Sequence, residues 1–209
     1  MGFRIAAMVV ALGLLTGCAM GRSEVDVKFA PLDTAQKTTT SNGKKVLISA
    51  VDERVFKINP RSADIPSLKD DEITDKSITE RAVGRKRNGY GMAMGDVVLP
   101  SGRTVSQLVS QAVSDAYRNA GYEVVTDKSA KEATAVNVHI VEFWSWFSPG
   151  FLSIAVNNKS HLRIETAGAP DMNVVTRKSE NIQAATESDW KEITESGLKE
   201  ITLETKKQL

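Results

Sequence analysis

The sequence predicts an α+β fold: one domain in which two helices pack on one face of an antiparallel β-sheet. Three observations carry this. One strongly amphipathic helical stretch lies mid-chain, at 104–121. Segments in which apolar and polar residues alternate follow it at 122–126, 134–147, 151–166 and 172–186, and a second helical pattern, 189–206, closes the chain. Alternation with period two marks an antiparallel sheet with one covered face. The apolar stripes of the helices need that face for their own burial. The expected order is β-(ββ)-α-β-β-β-β-α over residues 44–209.

The elements follow in chain order. "KKVLISAVDERV" (44–55) is rich in Val and Ile and reads as a strand. Residues 56–81 are polar and acidic, with Asp64, Asp70, Asp71, Glu72, Asp75 and Glu80, and predict a long surface loop. "RAVGRKRNGYGMAMGDVVL" (81–99) predicts one or two glycine-rich strands turning near Asn88-Gly89. In "TVSQLVSQAVSDAYRNAG" Val105, Leu108, Val109, Ala112, Val113, Ala116, Tyr117 and Ala120 share one helical face. Thr104 with Gln107 forms a capping box, and Gly121 occupies the usual glycine position after a helix. The last helix presents Trp190, Ile193, Gly197 and Ile201 on one side.

Five of the chain's aromatic residues (Phe143, Trp144, Trp146, Phe147 and Phe151) fall within "EFWSWFSPGF", although aromatics make up only 6% of the whole. Strand parity extends the face of Val136, Val138 and Ile140 to Trp144 and Trp146, and turns Phe143 and Phe147 to the other side. Two readings follow. The cluster is either a well-packed hairpin end or an exposed patch of Phe143, Phe147 and Phe151 that marks an interaction surface.

The N-terminus locates the chain. Arg4 and the terminal amine precede the apolar run Ile5–Leu15, too short to span a bilayer but suited to a secretory signal. Leu15-Thr16-Gly17-Cys18 then resembles the lipobox of bacterial lipoproteins: Leu, a small residue, Gly and Cys. The resemblance implies diacylation of the Cys18 thiol, cleavage before Cys18, and acylation of the new amine, with palmitate among the attached chains. It divides the chain into a signal peptide (1–17), a lipidated tether (18–43) and a periplasmic domain (44–209). Ala19, not aspartate, follows the cysteine, which in such lipoproteins implies the outer membrane, facing the periplasm. The tether would reach about 25–30 Å as a flexible coil. Val25, Val27 and Phe29 alternate with charges, however, so 24–29 also has the pattern of a short docked strand.

Composition limits what the domain can do. Cys18 is the single cysteine, which excludes an internal disulfide and a thiolate zinc site. Loss of 1–17 removes one basic residue, Arg4, from the 27, leaving as many basic as the 26 acidic residues. A neutral chain makes no electrostatic case for nucleic acid. The two histidines, His139 and His161, lie on polar strand positions and form no metal or catalytic motif. "GYGMAMG" (89–95) lacks the Gly-Lys-Ser/Thr and strand-to-helix context of a phosphate loop. Its glycines read as turn or close-approach positions. The basic cluster Arg81, Arg85, Lys86 and Arg87 reads as a solvated strand end, or as a binding site for lipid phosphate through Arg85, Lys86 and Arg87. Asp52 and Arg54 point the same way on their strand and read as a structural pair.

The lipobox, the strand running into Val51-Asp52-Glu53-Arg54, the capped helix, the Gly121-Tyr122-x-Val124 turn and the final helix together resemble the YajG-like lipoproteins, over roughly 44–207. The resemblance implies location and fold, since that family is largely uncharacterised. The expected function is a non-enzymatic outer-membrane lipoprotein, without cofactor or metal, that binds an envelope protein or a lipid. The alternatives are an auxiliary lipoprotein of an envelope lipid or lipopolysaccharide transport system and, third, an envelope hydrolase.

Overall fold

The computed structural model describes residues 21–32, 41–127, 132–150 and 152–209. Among them, the strands are β1 (Ser23–Glu24), β2 (Lys45–Asp52), β3 (Ala82–Arg87), β4 (Ala93–Val98), β5 (Glu123–Val125), β6 (Thr134–Pro149), β7 (Ile154–Thr166) and β8 (Met172–Ile182). The helices are α1 (Lys76–Thr79), α2 (Val105–Asn119) and α3 (Glu187–Gln208). The α+β domain with its two long helices on one face is as the sequence predicts.

The sheet itself is mixed, not purely antiparallel. β3–β4, β6–β7 and β7–β8 are antiparallel pairs, whereas β2 runs parallel to both β5 and β6, and β3 parallel to β6. Crossovers through α2 and through the 53–81 segment make these parallel pairings, and residue alternation does not reveal strand direction. β6 organises the sheet. Along one edge it carries β7; along the other it carries first β2, opposite 134–140, and then β3, at Gly84↔Ser145.

The helical face holds the main core, in which Val136, Val138, Ile140, Leu162, Ile164 and Val174 of the sheet meet Leu108, Val109, Val113, Trp190, Leu198 and Ile201 of the helices. The capping box of α2 is present: Thr104 Oγ1 accepts from Gln107 N at 3.2 Å, and Gln107 Oε1 accepts from Thr104 N at 3.0 Å. α3 crosses β3 so closely that a Cβ at Gly84 would lie 2.6 Å from Trp190 Cζ3 and 2.8 Å from the Ser145 carbonyl. Only glycine fits there.

The acidic segment 56–81 is not simply a surface loop. It folds over the outer face of the sheet, where Phe56 and Leu68 join Ala82, Val98, Trp144 and Trp146 in a second core, with Ala63, Ile73 and Ile78 packed around it. Both faces are therefore covered at this end.

Part of the predicted tether, 18–43, is docked on the domain. β1 pairs with β4 in parallel, Val25 and Val27 are buried in the main core, and Phe29 packs against it. The pattern of 24–29 reflects docking of the side chains, although the hydrogen-bonded strand is only Ser23–Glu24.

Candidate functional site

The aromatic cluster is divided between the two cores, but not as parity predicts. Opposite β7, Ile140 pairs with Leu162 and Glu142 with His161, so Val141 is an extra residue in β6. Such a bulge shifts side-chain alternation by one. Phe143 thereby joins the helical core with Val136, Val138 and Ile140, while Trp144 and Trp146 turn to the outer one. Phe147 is half-buried and stacks on Trp190, with centroids 4.1 Å apart and planes 12° apart. Trp144 meets Phe56 edge-on at 6.0 Å and donates from Nε1 to the Ala63 carbonyl at 3.2 Å. Arg177 lies over Trp146 at 5.3 Å. Of the two readings, the exposed patch of Phe143 and Phe147 is thus corrected: the bulge buries Phe143, and α3 covers Phe147. Phe151 and Cys18 lie outside the described residues.

The basic cluster does not converge on a ligand either. Successive residues of β3 point to opposite faces. Lys86 meets Ser23 and lies 3.4 Å from Glu187 at the start of α3. Arg87 turns outward, donating to Ser67 Oγ at 3.1 Å and to the Gly91 carbonyl at 2.8 Å. Burial, with Arg85 as a like-charged neighbour, lowers the pKa of Arg87. Arg85 is buried beside Asp96, with Nε 3.5 Å from Oδ1. Among the described residues, Arg85 Nε and Nη1 and Asp96 Oδ1 have no hydrogen-bond partner. The expectation of a solvated strand end, or of a phosphate site built from Arg85, Lys86 and Arg87, is corrected accordingly. Arg81 is paired with Glu24 and donates to the Leu99 carbonyl at 2.7 Å.

Arg54 fills the fork where β2 departs from β6 and β3 takes its place. Its side chain is fully buried and donates to the carbonyls of Ala82 (2.7 Å), Phe143 (3.0 Å) and Thr79 (2.8 Å). It also lies over the Phe56 ring at 5.1 Å. Asp52 and Arg54 are structural, as their shared side of the strand predicts.

The two histidines meet different partners. His139 Nδ1 is 2.6 Å from Glu53 Oε1, and Nε2 is 3.6 Å from Glu165. His161 Nε2 is 3.5 Å from Asn173 Oδ1. Among the described residues no group of three His, Cys, Asp or Glu side chains is placed to hold a metal.

A concave feature with a ligand's dimensions is a cleft of about 470 Å³ at the end of the sheet where β2 and β6 begin and α2 and α3 finish. Val46, Tyr117, Tyr122 and Met172 give it apolar walls; Lys44, Thr166 and Gln208 supply polar groups. Tyr117 meets Tyr122 edge-on at 5.1 Å, and its hydroxyl lies 3.2 Å from Thr166 Oγ1. Burial raises the Tyr117 pKa, so this hydroxyl stays protonated. The volume falls within the usual range of small-molecule sites. The sequence did not point here, because the lining comes from six separate elements and turns with no shared motif. The available signal was Tyr117-x4-Tyr122, two aromatics flanking the end of a predicted helix.

No protein-family model matches the chain. No curated protein matches it. Among solved structures, an uncharacterised protein is similar at 9% identity and a TM-score of 0.48, covering 91% of this chain and 98% of its own. A DUF330-family protein from Xanthomonas campestris is similar at 9% identity and 0.46, covering 88% and 92%. A minor lipoprotein from Acinetobacter baumannii is similar at 10% identity and 0.37, covering 51% and 85%. With each of these TM-scores below 0.5, the likenesses carry nothing about activity, and the resemblance to the YajG-like family is not confirmed by any of them.

Proposed function

We propose that this chain is a lipid-anchored lipoprotein of the outer membrane whose periplasmic domain binds an envelope protein or a lipid without catalysing a reaction. The observation that carries the reading is Leu15-Thr16-Gly17-Cys18 placed directly after the apolar run Ile5–Leu15. Each buried acyl methylene contributes about 0.8 kcal/mol, and more than one chain makes attachment stable. No helix among the described residues is long and apolar enough to cross a membrane. The amphipathic cleft between Tyr117, Tyr122 and Met172 supports a binding role. His139, between Glu53 and Glu165, is not among the residues that line that cleft.

The anchor is tested by palmitate labelling in cells. Cys18→Ser should accumulate as an unprocessed, unlabelled precursor; continued labelling of that variant removes the proposal. Ala19→Asp should move the protein toward inner-membrane fractions, and an unchanged distribution removes the outer-membrane assignment. A photo-crosslinking side chain at Asn173, on the cleft, should capture lipid or a defined envelope protein, while one at the exposed Val51 should not. Equal capture at both positions would take binding away from the cleft.

A further inference from the structure

The structure points to a second membrane contact besides the lipid. We propose that the domain rests end-on against the bilayer that holds its anchor, with the β3–β4 and β6–β7 hairpin tips inserted into the lipid headgroup layer. This rests on the lipidation of Cys18 proposed above.

The first support is the shortness of the link. Gly21 is already part of the domain, its N–H donating to the Met94 carbonyl of β4 at 2.8 Å. Its carbonyl lies so close to Gly95 that a Cβ there would be 1.8 Å away. From Cys18 to Gly21 are three residues, which span at most about 11 Å when fully extended. A lipidated Cys18 therefore holds the end of β4 next to the bilayer. It leaves no long tether with which the domain could tumble freely.

Topology places both hairpin tips at that end. Gly84 of β3 pairs in parallel with Ser145 of β6. Four residues further along each strand stand Asn88 and Pro149, where the two chains turn. β3 and β7 flank β6, so the tips lie side by side, on the order of 10 Å apart. The remaining support is what these turns expose. The most exposed large hydrophobic residues among those described are Tyr90, at 92%, and Leu152, at 82%, one on each tip; Met92 adds 60%. The turn sequences Asn88-Gly-Tyr-Gly-Met92 and Pro149-Gly-Phe-Leu-Ser153 contain no charged residue. Isolated exposed apolar side chains are ordinary. Their gathering on two uncharged tips beside the anchor is not, and an amphipathic tyrosine suits the interface between headgroups and acyl chains. β6 has 16 residues and is about 50 Å long, so this posture holds the cleft at its other end well clear of the lipid.

The test uses the full lipidated protein in vesicles of phosphatidylethanolamine and phosphatidylglycerol. Cys18 is the chain's only cysteine, and its lipid consumes the thiol, so Tyr90→Cys, Leu152→Cys and Lys207→Cys each offer one site for a polarity-sensitive fluorophore. Lys207 is exposed near the cleft end. Labels at 90 and 152 should shift to the blue, lose emission to lipids carrying a nitroxide near the headgroup, and resist aqueous iodide; the label at 207 should do none of these. If all three respond to iodide alike while the protein floats with the vesicles, the end-on posture is wrong and the anchor stands. Shielding at 90 and 152 without quenching by nitroxide lipid would mean a protein covers the tips, which also overturns it. Failure to float, with no palmitate incorporated, would instead remove the anchor, and the posture with it.

Discussion

Arg54 grips Asp52 with two parallel hydrogen bonds, Nε to Oδ1 at 2.8 Å and Nη2 to Oδ2 at 2.7 Å. The pair spans a change of partner in the sheet. β2 leaves β6 after Asp52, and the three carbonyls that Arg54 reaches belong to α1, β3 and β6. Without it, these three carbonyls would lose the donor that joins them. Asp52 supplies the counter-charge and fixes the plane of the guanidinium.

Arg54→Ala should therefore destabilise the domain by about 3–5 kcal/mol, the range for breaking a buried, hydrogen-bonded charge pair. Arg54→Lys should recover only part of this, since an ammonium cannot match the fork of five donors. Urea unfolding followed by tryptophan fluorescence measures both. A loss below about 1 kcal/mol for Arg54→Ala would place the pair among ordinary surface bridges.

The aromatic residues of β6 give a prediction that sequence parity alone inverts. Phe143→Ala and Trp144→Ala each remove a fully buried ring, from opposite faces, and each should cost about 3–5 kcal/mol. Phe147→Ser should cost less, because its ring is only half-buried and loses mainly its stack on Trp190, worth about 0.5–1.5 kcal/mol beyond area. Thermal melts of the three variants decide the order. If Phe143→Ala melted like the native protein, the bulge at Val141 would be misplaced.

That inversion marks where the sequence stops being legible. Local signals survive folding well: Thr104 and Gln107 cap α2, Gly121 follows it in the left-handed region at φ 90°, and Val136, Val138 and Ile140 share the core face. What cannot be read locally is a one-residue bulge, because Val141 looks like any strand residue while reversing every side chain after it. The cover over Trp144 is hidden for a related reason. In 56–81 the apolar residues are too scattered to show a period, yet Phe56, Ala63, Leu68, Ile73 and Ile78 together cap the outer face. The candidate sites fared likewise, since Arg85, Lys86 and Arg87 are consecutive in sequence, yet each meets different partners, with Lys86 on the face opposite the two arginines.

Gly95 offers a test of how firmly the N-terminal segment is held. A methyl group there would overlap the Gly21 carbonyl, so Gly95→Ala should lift residues 21–24 from β4 while Val25 and Val27 stay in the core. Arg22, now paired with Glu72 at 2.7 Å and Asp96 at 3.3 Å, would become available to trypsin. Limited proteolysis should show faster cleavage after Arg22 with little change in melting temperature. An unchanged cleavage rate would mean that the segment is not secured through this contact.

Asp96 sets the pH response at the same edge. Burial pushes its carboxyl above the ordinary carboxylate range, and Glu72 adds to the push, while Arg85 and Arg22 pull against it. Oδ1 has no hydrogen-bond partner among the described residues, which agrees with an incompletely compensated charge. A carboxyl whose pKa is higher folded than unfolded contributes stability that is fully present below the unfolded value, about 3.9. That contribution is lost as pH rises through the folded value. The stability of the native protein relative to Asp96→Asn should therefore shrink as pH rises from the unfolded value, about 3.9, through the raised folded value. Denaturant unfolding of both proteins across that interval measures the difference directly. Should the native protein instead gain on Asp96→Asn as pH rises, the two arginines outweigh burial, and Asp96 behaves as a conventional ion-pair carboxylate.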